Sequence, residues 1–384
     1  MKKVLQLILG LLVFGFAALY ISPYSYFIPG LAKIYGTGHS TAFLEDYTVF
    51  DNLTVKAAEN PEPWPKHALY NSLSTSEEIK AVHEKYKSVA FVVIKNDSLL
   101  HEEYFSGYGP DSKSNSFSMS KSMVTSMLGK AIQEGYIRNL DQKVSDFLPQ
   151  YNQGEAAKLT VGDLASMSSG LDWKEEYYTP FNITTESYFT DDLEGLIQTR
   201  DIISPPGKEF IYLSGNTQLL GVVLKKAIGM PISQYFAERF WQPMGAVEDA
   251  LWQVDSAENK MEKAYCCFAS NAKDFARLGK LYKDHGQWNG EHILDSTFVA
   301  LSTTPRFEAS PEYGYGWWLT SYQGMKGFAM RGHLGQYVIV FPEANLIAVR
   351  LGHLKGPKVN DYPSETFYTV IKEAFELAQN AEKS

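Results

Sequence analysis

Ser116-Phe117-Ser118-Met119-Ser120-Lys121-Ser122 places a lysine three residues after a serine. On a helix those two side chains share a face, and a serine becomes nucleophilic once a neighbour takes its proton. The residues that follow carry a helical pattern. Met119, Met123 and Met127 recur every four residues, Val124, Leu128, Ala131 and Ile132 widen the apolar face, and Gly135 supplies a stop. Ser118 then falls at a helix N-terminus, where unpaired N–H groups and the helix dipole favour developing negative charge. That arrangement suits acyl transfer.

A second S-x-x-K, Ser270-Asn271-Ala272-Lys273, opens what reads as a surface helix. Asn271 with Asp274 forms its cap, Phe275, Leu278, Leu281 and Tyr282 its buried stripe, and Lys273 is expected in solvent. Ser118, by contrast, is followed by two further segments. Ile211-Tyr212-Leu213-Ser214-Gly215-Asn216-Thr217 lies about ninety residues on and opens an apolar helical run, 219–228, ended by Gly229 and Pro231. A tyrosine just before a helix can bring its phenol to a pocket, where an adjacent cation favours the phenolate as general base. Arg331-Gly332-His333-Leu334-Gly335-Gln336 comes later, between β-like runs. Its glycines permit close approach of backbone to a ligand, so a strand N–H would serve as a second oxyanion donor.

At these residues the chain resembles the serine hydrolases of the β-lactamase and penicillin-binding-protein superfamily. It looks most like the class C-related branch of esterases and 6-aminohexanoate-dimer hydrolases. Ser118-Met-Ser-Lys121 matches S-x-x-K, Tyr212-Leu-Ser214 matches Y-x-[NS], and His333-Leu-Gly335 matches [KH]-x-G, in the family's order. Residues 159–173, 274–279 and 313–318 resemble further family blocks. Each motif alone is short; the ordered set is specific.

Two departures bear on substrate. His333 stands where β-lactamases carry lysine, which removes a fixed ammonium for a β-lactam carboxylate. Ser214 stands where many relatives have asparagine, exchanging an amide for a hydroxyl. S-D-N and K-T-G are absent, so a class A arrangement with a glutamate base has no support. The esterase and amidase branch fits better. In the mechanism this set implies, Ser118 is the nucleophile and Tyr212 its base and later the proton donor to the leaving group. Lys121 either passes the proton itself or holds Tyr212 as phenolate. The backbone N–H groups of Ser118 and Gln336 form the oxyanion hole, and His333 orients substrate or Tyr212. Trp173, Tyr177, Tyr178 and Phe181 surround Thr179-Pro180 in a segment that could cover the cleft and grip an acyl or aliphatic substrate, or pack under a loop.

With 384 residues, 45% of them hydrophobic, the chain can bury a substantial core. Its net charge of −9, without a basic block beyond the first residues, disfavours nucleic-acid binding. The two cysteines, Cys266 and Cys267, are adjacent, a spacing that strains a mutual disulfide, so no disulfide framework is expected. Eight scattered histidines without H-E-x-x-H or C-x-x-C give no metal site, and no cofactor is implied.

Met1-Lys2-Lys3 precedes an apolar run, 4–21, broken only by Gln6 and Tyr20, with Pro23, Tyr24, Tyr26 and Phe27 behind it. Residues 1–28 are expected to anchor the protein in the inner membrane and hold the rest outside the cytoplasm. A cleaved signal peptide, with Gly15-Phe-Ala17 as its best site, is the competing view. Residues 29–80 read as a linker or wrapping segment, and 81–384 as the hydrolase domain. A hairpin is expected over 88–105 around Asn96-Asp97, strands over 328–331, 336–341 and 346–351, and an amphipathic helix after Ser364. Strands at both ends around a helical insert imply an α/β sandwich plus a helical lobe. The resemblance implies the same: a mainly antiparallel sheet with helices, a lobe over about 118–244, and the site in the cleft between. Three functions compete: hydrolysis of a small-molecule ester or amide, cell-wall D-alanyl peptidase or esterase activity, and silent binding on the same fold. Retention of Ser118, Lys121 and Tyr212 argues against the last.

Overall fold

The computed structural model describes residues 1–39, 41–177, 179–358 and 364–384. Its helices are α1 (Lys2–Tyr20), α2 (Phe27–Ile34), α3 (Glu77–Lys85), α4 (Ser120–Gln133), α5 (Val161–Ala165) and α6 (Ile183–Phe189). They continue with α7 (Leu193–Gln198), α8 (Ser214–Ile228), α9 (Ile232–Phe236), α10 (Ala272–Lys283), α11 (Ser296–Ser302) and α12 (Glu365–Lys383). Strands β1 (Asn52–Val55), β2 (Ser88–Lys95), β3 (Ser98–Tyr104) and β4 (Ser114–Asn115) precede the helical lobe, and β5 (Ala250–Gln253) and β6 (Phe268–Ser270) follow it. After these come β7 (Gln287–Trp288), β8 (Glu291–His292), β9 (Trp318–Tyr322), β10 (Met325–Gly332), β11 (Gln336–Phe341) and β12 (Leu346–Gly352).

The main sheet runs β3-β2-β12-β11-β10-β9, and every pairing in it is antiparallel. Its central strands are apolar on both faces because both are covered. In β2, Ala90, Val92 and Ile94 join the core shared with the helical lobe, whereas Phe91 and Val93 join the core under α3 and α12. The β2–β3 turn forms at Asn96 and Asp97, whose φ of 50° and 58° suits a tight hairpin. Helix α12 buries Phe367, Val370, Ile371, Ala374 and Leu377, the stripe its sequence predicts.

A smaller sheet, β1-β5-β6-β4, lies beneath the lobe and brings residues from before and after it together. The chain leaves β4 directly into the Ser118 turn. Helix α10 is not a surface helix: Arg277 is 1% exposed, bonded to Asp274 and to the carbonyls of Met244 and Glu62. Gly279 lets this helix sit hard on the sheet, since a Cβ there would lie 3.0 Å from both Val338 and Val340. Cys266 and Cys267 are joined to each other, against the sequence expectation; Cys267 takes a positive φ of 72° in the turn that brings the adjacent side chains together. At the other end, α1 buries no residue and is long and apolar enough to cross a membrane.

Candidate active site

Ser118 sits in a single 3-10 turn, Phe117–Met119, that leads straight into α4. Phe117 holds φ at 45°, a region that non-glycine residues avoid, so the turn must be fixed by its surroundings. It is. The Phe117 N–H donates to Asn115 Oδ1 (2.7 Å), and Asn115 in turn donates to the fully buried Asp46 (2.8 Å). Gln253 and the Tyr188 hydroxyl also donate to Asp46, whose carboxyl burial pushes up to about 6. Met119, Met123, Val124, Met127 and Leu128 bury the apolar face of α4 completely.

Lys121, one residue into α4, is 1% exposed, and its Nζ lies 3.0 Å from Ser118 Oγ. It also reaches Ser214 Oγ at 3.2 Å and the Tyr265 carbonyl at 2.8 Å. Burial pulls its pKa down to about 8, against the opposing pull of the Glu175 charge. A neutral amine has two N–H groups and one lone pair. The Tyr265 carbonyl can only accept, and Ser214 Oγ spends its own proton on Glu175 Oε1 (2.6 Å). In the neutral form, which gains population as pH rises through about 8, both N–H groups are thereby used and the lone pair is left for the Ser118 hydroxyl.

Glu175 is the group that sequence reasoning missed. Its Oε2 accepts from the Ser214 N–H (2.6 Å) and from the indole N–H of Trp173 (2.9 Å), and its Oε1 from Ser214 Oγ and the Tyr177 hydroxyl. Trp173 is buried behind it, so its link to the site runs through that carboxylate. Tyr177 stacks on His333, with ring centroids 5.4 Å apart, and Phe117 meets the same imidazole edge-on. Burial, helped by the Lys355 charge, lowers the His333 pKa to about 4, so the ring is neutral at pH 7. Tyr178 lies outside the described residues, and Phe181 packs on Tyr24 and Phe27.

Tyr212 enters from the residue before the N-cap of α8. Lys121 Nζ stands 5.2 Å from its ring centroid, and Trp318 and Tyr313 pack against the ring. Gly332 ends β10 against the nucleophile turn: a Cβ there would lie 2.2 Å from the Ser116 carbonyl. Glycine is obligatory at that contact. The His333–Gly335 turn beyond it is held by Arg350, which donates to the carbonyls of Leu334 (3.1 Å) and Gly335 (2.9 Å). The Gln336 side chain points away into the sheet, pairing with Gly352 through both its amide groups. Ser118, Ser214, Tyr177 and His333 line one end of a cavity of about 160 Å³.

The second S-x-x-K assembles nothing comparable. Ser270 is buried on β6, and Lys273 pairs with Glu102 (3.3 Å). Among the described residues, no group of three or more His, Cys, Asp or Glu side chains is placed to hold a metal ion.

A family model described as Beta-lactamase matches residues 58–365. The chain belongs to the beta-lactamase family. It is 24% identical over 295 residues to the 6-aminohexanoate-dimer hydrolase of Paenarthrobacter ureafaciens, covering 70% of this chain and 73% of that one. Among solved structures, a Bacillus anthracis protein assigned as a 6-aminohexanoate-dimer hydrolase superposes with a TM-score of 0.73. The identity is 20%, over 95% of this chain and 96% of the other. A family VIII carboxylesterase superposes with a TM-score of 0.60 at 16% identity, over 79% and 99% of the two chains. The fold that the sequence resemblance implied, a β-lactamase-like α/β sandwich with a helical lobe, is the fold observed. In this beta-lactamase-family chain the three ordered motifs converge as side chains: Ser118 from the turn before α4 and Lys121 from its first turn, Tyr212 and Ser214 from the entry to α8, and His333 from the turn after β10.

Proposed function

We propose that the protein is a serine hydrolase that cleaves ester or amide bonds through an acyl-enzyme on Ser118. The observation that carries this reading is the buried Lys121, whose Nζ lies 3.0 Å from Ser118 Oγ. Neutral Lys121 takes the Ser118 proton as the oxygen attacks the substrate carbonyl. The oxyanion is received by the N–H groups of Ser118 and Gln336, where losing one such donor typically costs about 3 kcal/mol. Tyr212, beside Lys121, relays the proton to the leaving group; water then repeats the sequence on the acyl-enzyme. Glu175 keeps Ser214 and Lys121 in register, and neutral His333 shapes the pocket without supplying a cation. The apolar α1 anchors the enzyme in the inner membrane and, with Lys2 and Lys3 retained inside, exposes the hydrolase outside the cytoplasm.

A serine-directed phosphonate tests the reading. Mass spectrometry should find the adduct on the Ser118 peptide of the native protein, and Ser118→Ala should abolish it. Labelling of Ser270, or none at all under conditions where the protein is folded, would refute the assignment. Pelleting of the full chain with membranes and its release by detergent tests the anchor.

A further inference from the structure

The cavity at Ser118 does not end at the catalytic groups. Beyond them it becomes a mainly apolar arm, with Phe27, Ile34, Ala42, Pro180 and Phe189 in its lining among four threonines and Glu176. Phe27 and Ile34 belong to α2, Ala42 comes eight residues after its end, and α2 follows the apolar α1 almost at once. Six residues lie between Tyr20 and Phe27, seven steps of chain and at most about 25 Å when extended. The link is shorter than that, because turns closed by the Ser22, Ser25 and Phe27 N–H groups fold it back. If α1 spans a bilayer, the wall of this arm is therefore held at the bilayer surface. Tyr24 and Phe181, both exposed and meeting edge-to-face with centroids 5.0 Å apart, form an aromatic collar beside it.

Direction within the site is set by Tyr212. Its ring lies with Trp318 and Tyr313, and neither it nor they line the arm. A leaving group protonated by Tyr212 departs on that side, so the acyl half of the substrate occupies the apolar side. An apolar cavity of about 150 Å³ accepts a benzene-sized guest, so this one, at about 160 Å³ with its catalytic end included, takes at most roughly six carbons before the chain runs out toward the collar.

We propose that the arm is an acyl-chain site, and that the substrates are amphiphilic esters or amides whose apolar acyl chain is presented from the membrane surface. This rests on the serine hydrolase reading above. The chemistry balances within it. The Ser118 Oγ–carbonyl carbon bond forms and the bond to the alcohol or amine breaks. The Ser118 proton passes by Lys121 and Tyr212 to the departing group, and water later releases the fatty acid. The occupant is apolar because the charged groups at the arm are already engaged: the lining Glu176 carboxylate pairs with Lys174 (2.8 Å) and accepts from Thr179 (3.0 Å), and Lys263, behind Tyr188, directs its Nζ to the Tyr188 carbonyl and the faces of Phe50 and Tyr188.

The test uses the full chain in phosphatidylethanolamine–phosphatidylglycerol vesicles and p-nitrophenyl esters from acetyl to dodecanoyl. Burying one methylene favours binding by about fourfold, so even a half-open arm should raise kcat/KM at least about thirtyfold from acetyl to octanoyl. Lengthening the alcohol in a series of alkyl acetates should have no such effect. Ala42→Trp, which fills the arm, should collapse the octanoyl-to-acetyl ratio toward one. Alkyl fluorophosphonates give the same comparison without turnover, since octyl should label Ser118 faster than ethyl in the native protein. Dodecanoyl ester in the vesicles that carry the enzyme should be cleaved faster than the same ester in separate vesicles. Equal acetyl and octanoyl rates would overturn the acyl site while leaving a serine hydrolase, and equal rates in the two vesicle arrangements would overturn delivery from the membrane. No hydrolysis and no labelling by any member would instead refute the underlying enzyme reading.

Discussion

Replacing Glu175 by glutamine should shift the pH dependence of the enzyme toward acid. Lys121 Nζ is 3.2 Å from Ser214 Oγ, which is 2.6 Å from Glu175 Oε1, so the two charges lie within about 6 Å. At an effective dielectric constant of about 20, that separation corresponds to about 3 kcal/mol, or about two pKa units. Glu175 is only half-buried, and screening by water leaves one to two units as the expected effect, roughly. The sign follows from the chemistry. Only the neutral amine accepts the Ser118 proton, so activity rises with pH through the Lys121 pKa, about 8 in the native enzyme. The carboxylate stabilises the ammonium form, and removing it lowers that pKa to about 6 to 7. At pH 6 the neutral fraction then climbs from about 1% to about 10% or more, a roughly tenfold gain relative to the plateau. The plateau itself should fall, because a weaker base takes the proton less readily. Profiles of kcat/KM for a p-nitrophenyl ester between pH 5.5 and 9.5 measure both effects. A limb that stays near pH 8 in Glu175→Gln, or moves upward, would refute the coupling of Glu175 to Lys121.

Three further outcomes are expected. Tyr212→Phe should cut kcat by about 10² to 10⁴ while leaving the limb near pH 8, because Lys121 takes the first proton; disappearance of the limb would transfer that role to the phenol. Gly332→Ala should destabilise by roughly 1–3 kcal/mol in thermal or urea unfolding and reduce turnover far more than that implies. Its Cβ would press on the Ser116 carbonyl and separate β10 from the nucleophile turn, and unchanged kcat would contradict this. Cephalosporins should be turned over much more slowly than short esters at pH 7, since His333 is neutral there and offers the β-lactam carboxylate no cation. Comparable kcat/KM for the two classes would count against that account.

The fold was legible where local pattern and tertiary placement agree. β2, β11 and β12 are continuous apolar runs because both faces of the sheet are covered, and α12 shows its stripe because only one of its faces is. Helix α10 misled for a definable reason. Its Asn271 cap and its lysines resemble a solvent helix, yet Arg277 and Asp274 neutralise each other inside the fold and Gly279 hides a close contact as a missing side chain. Periodicity registers charge as exposure and cannot see a paired charge. The same blindness concealed Asp46, a carboxylate in a stretch without periodicity that nonetheless fixes the nucleophile turn through Asn115.

For the site, the sequence carried the reacting atoms and left out what tunes them. Ser118, Lys121, Tyr212, Ser214 and His333 sit in short motifs because each is placed by a local element: the start of a helix, or the end of a strand. Glu175 has no such address. It lies in a loop between Trp173 and Tyr177, and its meaning comes from Ser214, thirty-nine residues later in the chain. Yet it decides the protonation logic, for without a carboxylate to take the Ser214 proton, that hydroxyl could point at Lys121 and use the lone pair that Ser118 needs. A serine in place of the more common asparagine therefore makes sense only with Glu175 present: an amide cannot both accept from Lys121 and donate to Glu175 through one atom, whereas a hydroxyl oxygen does both. The substitution seen in the sequence and the carboxylate seen only in the structure are two halves of one proton-ordering device.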